Sequence, residues 1–372
     1  MALDVGILGY RFMGTAHANA LARLPMFFPD APAVNRAVVV GQDEEALERN
    51  ADRLGFDRTS TDWSAVVDEV DVFYNLGPNF LHPEPSIAAL EAGTAVLCEK
   101  PLAHTIEEAA AMASAARSAD IPAFCGFNYR FVPAIQHARE LVADGDLGPI
   151  REVRARYLQD WLVDPEAPWT WRLEEDLAGS GSLGDLGSHL VDLLRFLVGD
   201  AEGAGPIEAV SGQLQTFVDE RPIADGDDYR PVTVDDAFTA QVTFERGAVG
   251  TLEASRVAAG HKNDLQIELH GSTGSLRFSL ERLNELEILR EGDRGYQTIL
   301  ITDEDDPFVD HWWPPGHVLG WEHTFVHENA TFLRAVAEDT PVEPNFEDGV
   351  AAQRLLAAIK ESDERNERVT LE

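Results

Sequence analysis

The sequence predicts an α/β fold: a doubly wound parallel sheet at the N-terminus, then an α+β part built on a large open, mostly antiparallel sheet. Three observations carry this prediction. Short apolar runs alternate with helical patterns through the first third, as in a parallel sheet with crossover helices. A glycine-rich turn stands at the first strand-to-helix junction. Beyond Ile150 the strands alternate apolar and polar residues, as an antiparallel sheet with two different faces requires.

In order, Val5–Leu8 reads as a buried strand and Ala16–Leu24 as the helix after it. Ala37–Val40, Val70–Leu76, Ala95–Cys98 and Ala123–Phe127 read as further strands, with helices at Glu44–Leu54, Pro83–Ala92 and Ile106–Ser118 between them. The second series comprises Ile150–Leu158, Ile207–Phe217, Thr233–Phe244, Ala248–Arg256, Leu265–His270, Gly274–Phe278 and Glu285–Leu289. Glu245-Arg246-Gly247 reads as a hairpin turn within it. One amphipathic helix, Leu183–Leu197, interrupts the strands, and two more, His323–Ala337 and Glu347–Glu361, close the chain. Gly199–Gly205 and the acidic Thr302–Asp310 read as loops. At 372 residues two domains are expected, 1–125 and 126–372.

The formal charge of −37 excludes a nucleic-acid role, because phosphate binding needs a basic surface. The acids are spread along the chain, and lysine is confined to Lys100, Lys262 and Lys360. Such a surface suits a high-salt cytoplasm, where the Debye length falls to about 3 Å at 1 M and self-repulsion largely vanishes. A halophilic protein that loosens in low salt is expected. The N-terminus lacks the charged and apolar regions of a secretory signal, and no apolar run is long enough for a membrane span, so a cytoplasmic location is expected. Cys98 and Cys125 sit in apolar runs and read as small core residues.

Gly9, Arg11 and Gly14 occupy the three positions of a GxGxxG dinucleotide fingerprint. The first glycine permits the tight turn and the third lets helix and strand pack closely. A pyrophosphate then meets the N–H groups and positive dipole at the helix start, beside Phe12 and Met13. Arg11 replaces the glycine that usually lets the backbone approach the pyrophosphate. Its side chain reaches a phosphate or lies over the adenosine instead. Past Val40 come Gly41, Gln42 and Asp43, and the acid tilts the cofactor from NADP towards NAD through the ribose hydroxyls.

The strand ending at Cys98 runs into Glu99-Lys100-Pro101. Carboxyl ends of strands face the ligand crevice in an open α/β sheet, so topology aims Lys100 at it. In a chain that otherwise uses arginine, a lysine retains the tunable proton that hydroxyl oxidation needs. The competing reading is a solvated surface lysine. Asp185 and His189, four apart, project from one face of the Leu183–Leu197 helix, where a carboxylate orients an imidazole and raises its pKa. Asp192 lies near that face. A helix-dipole Asp beside a hydrogen-bonded His is the plain structural alternative, and a metal pair another, though no supporting ligand set accompanies it.

Together these residues, with Pro78-Asn79 and His82, resemble the Gfo/Idh/MocA (glucose-fructose oxidoreductase/inositol dehydrogenase) family over nearly the whole chain. The resemblance implies an N-terminal Rossmann domain that binds NAD(P) and a C-terminal domain for substrate and oligomerisation. It implies a catalytic set of Lys100, Asp185 and His189, with Pro78, Asn79, His82 and Glu99 near the cofactor. Phe127-Asn128-Tyr129-Arg130, Tyr157-Leu158-Gln159-Asp160-Trp161, Trp171-Arg172 and Glu268-Leu269-His270-Gly271 are similar, more closely, to levoglucosan dehydrogenase-type sugar dehydrogenases. By that likeness Tyr129, Gln159, Trp161 and Arg172 line a sugar pocket, aromatic faces covering the ring and polar groups reading hydroxyls. Core packing is the competing role for Trp161 and Trp171. His311-Trp312-Trp313 and Gly320-Trp321-Glu322-His323 read as a pocket wall or a subunit contact.

The expected activity is hydride transfer between a sugar or polyol secondary hydroxyl and nicotinamide. His189 or, alternatively, Lys100 serves as the base. A non-catalytic NAD(P)-binding sensor and an oxidation–elimination glycosidase are the alternatives. No nucleic-acid or membrane partner is expected. An uncovered sheet face is expected to be apolar and therefore buried in a homodimer or homotetramer.

Overall fold

The computed structural model describes residues 2–224 and 228–371. The first stretch alternates as the sequence predicts: β1 (Leu3–Leu8), α1 (Phe12–Phe27), β2 (Val34–Val40), α2 (Glu44–Leu54), β3 (Arg58–Ser60), β4 (Val72–Asn75), α3 (Pro83–Glu91), β5 (Ala95–Glu99), α4 (Ile106–Ala119) and β6 (Ala123–Gly126). The six strands form one parallel sheet in the order β3-β2-β1-β4-β5-β6. This is the doubly wound dinucleotide-binding order, whose direction reverses between β1 and β4. Strands β4, β5 and β6 are buried along their whole length, as strands covered on both faces must be. Cys98 and Cys125 are register partners on β5 and β6, both buried in the core.

The next stretch holds α5 (Pro133–Ala143), β7 (Ile150–Leu158), α6 (Glu175–Ala178), α7 (Ser188–Val198), β8 (Ile207–Gln215), β9 (Glu220–Pro222), β10 (Tyr229–Pro231), β11 (Ala237–Phe244), β12 (Val249–Ser255), β13 (Asp264–Gly271), β14 (Ser275–Ser279), β15 (Glu285–Leu289) and β16 (Gln297–Leu300). After α8 (Trp321–Glu338) and α9 (Phe346–Arg365) comes β17 (Val369–Thr370). A nine-stranded sheet runs β16-β15-β14-β13-β7-β12-β11-β8-β17, antiparallel except for the β7–β12 pair.

Compact packing divides the chain into Met1–Phe131 with Gly320–Ala351, and Val132–Leu319 with Ala352–Glu372. The linear cut at 125/126 therefore needs correction. Helix α8 returns to the first unit because its inner face bonds there: Asn329 to His17, and Thr324 to Asn128. No residue near 320 signals this return, since it is a matter of long-range pairing.

The open face of the large sheet also differs from expectation. Arg154, Arg156, Ser211, Gln213, Thr239, Gln241, Thr251, Glu253, Gln266 and Glu268 line a groove of about 700 Å³ on it. The face is polar, so the apolar argument for self-association does not hold. Thr233–Asp236 is not strand; Asp235 and Asp236 use their carboxylates on backbone N–H groups of other segments. Among the described residues no helix is long and apolar enough to cross a membrane.

Candidate functional site

In the first unit the predicted residues gather at the carboxyl ends of adjacent strands. Gly9–Gly14 follow β1, Asp43 follows β2, Pro78 and Asn79 follow β4, Lys100 follows β5, and Tyr129 follows β6. That edge, at the strand-order reversal, is where open α/β sheets bind ligands. Gly9 takes φ +109°, and a Cβ there would lie 2.8 Å from the Leu76 carbonyl oxygen. A Cβ on Gly14 would lie 2.2 Å from the Gly9 oxygen. Both fingerprint glycines are thus required by close backbone approach. Helix α1 begins without a side-chain cap at Arg11, which leaves its first turn available to an anion. Arg11 and Phe12 are exposed, and Met13 is half-buried. Gly41 is explained by Tyr10, whose ring would sit 2.4 Å from a Cβ at that strand tip. Asp43 caps α2, accepting from the Ala46 N–H at 3.0 Å.

Two predicted residues, His82 and Glu99, are buried and bonded to the loops beside them. His82 is fully buried; its Nδ1 faces the Pro101 carbonyl at 2.9 Å and its Nε2 the Gly77 carbonyl at 3.0 Å. Neutral, the imidazole donates to one of these carbonyls and packs against the other, which ties the loop after β4 to the Lys100–Pro101 loop. Burial pushes its pKa down, so it is held neutral. Glu99 is also buried, and its carboxylate accepts from His17 Nε2 at 3.1 Å and from the Lys100 backbone N–H at 3.1 Å. Lys100 itself is half-buried, not a freely solvated side chain, and precedes a cis peptide bond to Pro101.

His17 is a residue the sequence reading missed. It sits in an alanine-rich helix, and nothing local distinguishes it from a core histidine. Its ring joins three elements: Asn329 of α8 donates to Nδ1 at 3.1 Å, and Nε2 lies 3.1 Å from Glu99 and 3.9 Å from Glu328. Glu328 is fully buried, and burial with Glu99 nearby pushes its carboxyl well above the usual range. Tyr74, edge-on to His17, is raised by burial and by Glu328. Trp321 belongs to this unit, where it stacks on Phe12 at 5.4 Å and donates to the Tyr129 hydroxyl at 3.3 Å. It forms a wall beside the glycine turn. Trp312 and Trp313 lie in the other unit.

In the second unit, Gln159 and Trp161 follow β7, Arg172 lies in the short turn Trp171–Leu173, and Asp185 and His189 straddle a change of helix type. Leu183–Gly187 is a π-turn that leads into α7, so the expected continuous α-helix starts wider than predicted. Asp185 is half-buried and His189 is buried, 5 % exposed. The Tyr157 ring meets His189 edge-on at 6.0 Å. Its hydroxyl donates to Asn263 Oδ1 at 2.6 Å, and Gln159 Nε2 reaches the same oxygen at 2.9 Å. This amide–phenol chain fixes Gln159 relative to His189. Tyr157 stands two residues before Gln159, a nearness visible in sequence; Asn263 carried no such signal. Trp161 is 42 % exposed, which excludes the core role for it. Arg172 is exposed and lies over the Trp171 ring at 4.5 Å.

Asp235 makes the start of this helix. Buried, it accepts from Gly181 N at 2.7 Å, Ser182 Oγ at 2.6 Å and Leu183 N at 2.8 Å. It caps the turn from outside the local sequence. A Cβ on Gly181 would lie 1.8 Å from the Asp235 carbonyl oxygen, so that glycine is required.

Comparison with known proteins gives a consistent picture. Residues 3–127 match the oxidoreductase family, NAD-binding Rossmann fold, and residues 135–277 match the GFO/IDH/MocA C-terminal domain. Levoglucosan dehydrogenase of Pseudarthrobacter phenanthrenivorans is 38 % identical, covering 97 % of this chain and 96 % of its own. Myo-inositol 2-dehydrogenase of Thermotoga maritima is 26 % identical, covering 100 % and 99 %. Among solved structures, an oxidoreductase domain protein from Kribbella flavida superposes with a TM-score of 0.95 at 47 % identity, covering all of both chains. A levoglucosan dehydrogenase in complex with NADH and levoglucosan superposes at 0.94 with 39 % identity, covering 100 % of this chain and 99 % of its own.

Proposed function

The chain belongs to the Gfo/Idh/MocA family of NAD-binding oxidoreductases, and from that premise we propose that it oxidises a secondary hydroxyl of a pyranose or anhydrosugar of the levoglucosan type. The likeness to levoglucosan dehydrogenase spans nearly both chains, which supports the substrate class. When bound, the nicotinamide supplies the hydride acceptor. His189 takes the hydroxyl proton as general base, and Asp185 orients its ring. Lys100 hydrogen-bonds the same oxygen and stabilises developing alkoxide charge. Trp161 and Tyr129 offer aromatic surface to the apolar face of the sugar, and Gln159 and Arg172 read its hydroxyls.

The turn Gly9–Gly14, with Arg11, Phe12 and Met13, receives the pyrophosphate; Pro78 and Asn79 support the nicotinamide side, and Asp43 favours NAD over NADP. His82 and Glu99 serve by holding the loops that carry Asn79 and Lys100. The reaction belongs to the cytoplasm. A homodimer or homotetramer through the open sheet would pair by charge and hydrogen bonds, and a native mass measurement decides it.

The single observation that carries this reading is the buried His189 held edge-on by Tyr157, with Gln159 tied to the same phenol. The test mixes the protein with NAD or NADP and a panel of levoglucosan, pyranoses and inositols, following absorbance of the reduced nicotinamide. Turnover of an anhydrosugar or pyranose with NAD is expected, and H189A or K100A should each cost about 10²–10⁴ in rate. Silence of the wild type across the panel overturns the reading; near-full turnover by H189A reassigns the base.

A further inference from the structure

Two arginines, Arg221 and Arg256, are fully buried in the second unit. Arg256 directly follows β12 and is fully buried, as is Arg221. Its Nη2 donates to the Asp235 carbonyl at 2.9 Å and its Nη1 to the Arg172 carbonyl at 3.4 Å. Its own N–H donates to the Asp236 carbonyl at 2.9 Å, and its carbonyl accepts from Leu162 N at 3.0 Å. The guanidinium lies 5.7 Å from the centroid of the Trp161 ring. Arg221 completes the hold on that segment by donating to the Leu162 carbonyl at 2.8 Å.

A buried guanidinium is costly unless acids and acceptors surround it. Here burial pushes the guanidinium's pKa down, while Asp185, Asp235 and Asp236 favour its charge and Arg221 opposes it. Asp235 and Asp236 spend carboxylate oxygens on backbone N–H groups. Asp185 is the half-buried acid of the three. Arg256 thus donates to the backbone of Arg172 and of the capping Asp235 and lies over the Trp161 ring. Stem packing alone does not call for a planar, five-donor head at this point; several segments converging on it do.

We propose that Arg256 is a positioning residue for sugar recognition: from beneath, it sets the Trp161 platform, the Arg172 turn and, through the capping Asp235, the start of the helix that carries Asp185. The inference rests on the dehydrogenase reading above and names what gives that site its selectivity. A pyranose ring stacks on Trp161 with its hydroxyls towards Arg172 and Asp185, and the guanidinium fixes the distance between those points. Arg256 itself touches no substrate.

The test uses full-length R256K and R256M with NAD and the sugar that the wild type turns over best. For R256M, kcat/KM should fall by about 10²-fold, as displacement of positioning groups by about 1 Å does. NADH affinity, read by fluorescence titration, should not change. The acid limb of the kcat/KM profile should move to higher pH, because removing a buried positive charge from the unit that holds His189 eases protonation of its imidazole. R256K, which keeps charge but not the fork, should leave that limb in place and still raise KM. A merely structural role moves neither the limb nor the KM-to-kcat split. If R256M does not fold, R256K decides: an unchanged KM overturns the proposal, and a raised KM with unchanged NADH affinity supports it. Wild-type kcat/KM in R256M, or NADH affinity weakened in parallel with activity, overturns it too. A wild type inert on every sugar refutes the dehydrogenase reading instead, so the two failures are distinct.

Discussion

Replacing Asp235 should loosen the helix that carries Asp185 and His189 more than any surface change. Three buried groups depend on its carboxylate: Gly181 N at 2.7 Å, Ser182 Oγ at 2.6 Å and Leu183 N at 2.8 Å. Hydrogen bonds to a charged acceptor contribute about 1.5–3 kcal/mol each, and donors left buried and unpaired cost about 1–3 kcal/mol. The three share one carboxylate and do not add. Loss of one partner from a buried charged network typically costs about 3–5 kcal/mol, which is the expectation for D235A. Asn keeps one oxygen but turns an N–H₂ towards backbone donors, so D235N should cost less, about 1–3 kcal/mol, within the range of lost caps and unpaired donors. The assay is urea denaturation at neutral pH, followed by circular dichroism, with NADH affinity measured in parallel. NADH affinity should hold while kcat falls, since the cap lies in the unit of Asp185. A D235A loss below about 1 kcal/mol, the size of an ordinary surface effect, would refute the capping argument. So would equal losses in D235A and D235N.

Other expectations follow from the same structure. Glu328 has a raised pKa in the folded chain, so its stabilising share is full below about 4.5, the unfolded value, and is lost as pH rises towards the folded value. E328Q removes that titration; its melting temperature should gain on the wild type from pH 5 to pH 9, and a constant gap would sink the assignment. His82 has a lowered pKa, so its share is present above the unfolded value of 6.5 and lost as pH falls. In H82Q that acid-side loss should shrink, as pH-dependent melts would show. G14A places a Cβ 2.2 Å from the Gly9 oxygen; NADH affinity should drop on the order of tenfold or more, about 1.4 kcal/mol, and an unchanged titration would count against the turn. Melting temperature should climb steadily in rising KCl as the −37 charge is screened. A flat curve rules out the halophilic reading.

The parallel sheet was legible in the sequence because five of its six strands are local apolar runs between turn signals. Val5–Leu8, Val72–Asn75 and Ala95–Cys98 need no distant partner to be recognised. Short or polar elements were not legible. Arg58–Ser60 and Val369–Thr370 become strands only because a neighbouring edge supplies hydrogen bonds. Helix Pro133–Ala143 went unread although it is amphipathic, and the strand expected over Thr233–Phe244 begins only at Ala237, because Asp235 and Asp236 bind backbone N–H groups of distant segments.

The residues of the expected chemistry separate along the same line. Sequence by itself determined the dinucleotide turn, because Gly9 and Gly14 answer to local backbone geometry, and it determined the family, whose likeness the motifs around Lys100, Asp185 and His189 carry. Tertiary structure alone decided that His82 and Glu99 brace loops from inside, that His17 joins α1 to β5 and α8, and that Asp235 and Arg256 stand behind Asp185. Those roles join residues up to 312 positions apart, as His17 and Asn329 are. A buried polar side chain is defined by partners it meets only after folding, and spacing along the chain carries no trace of them.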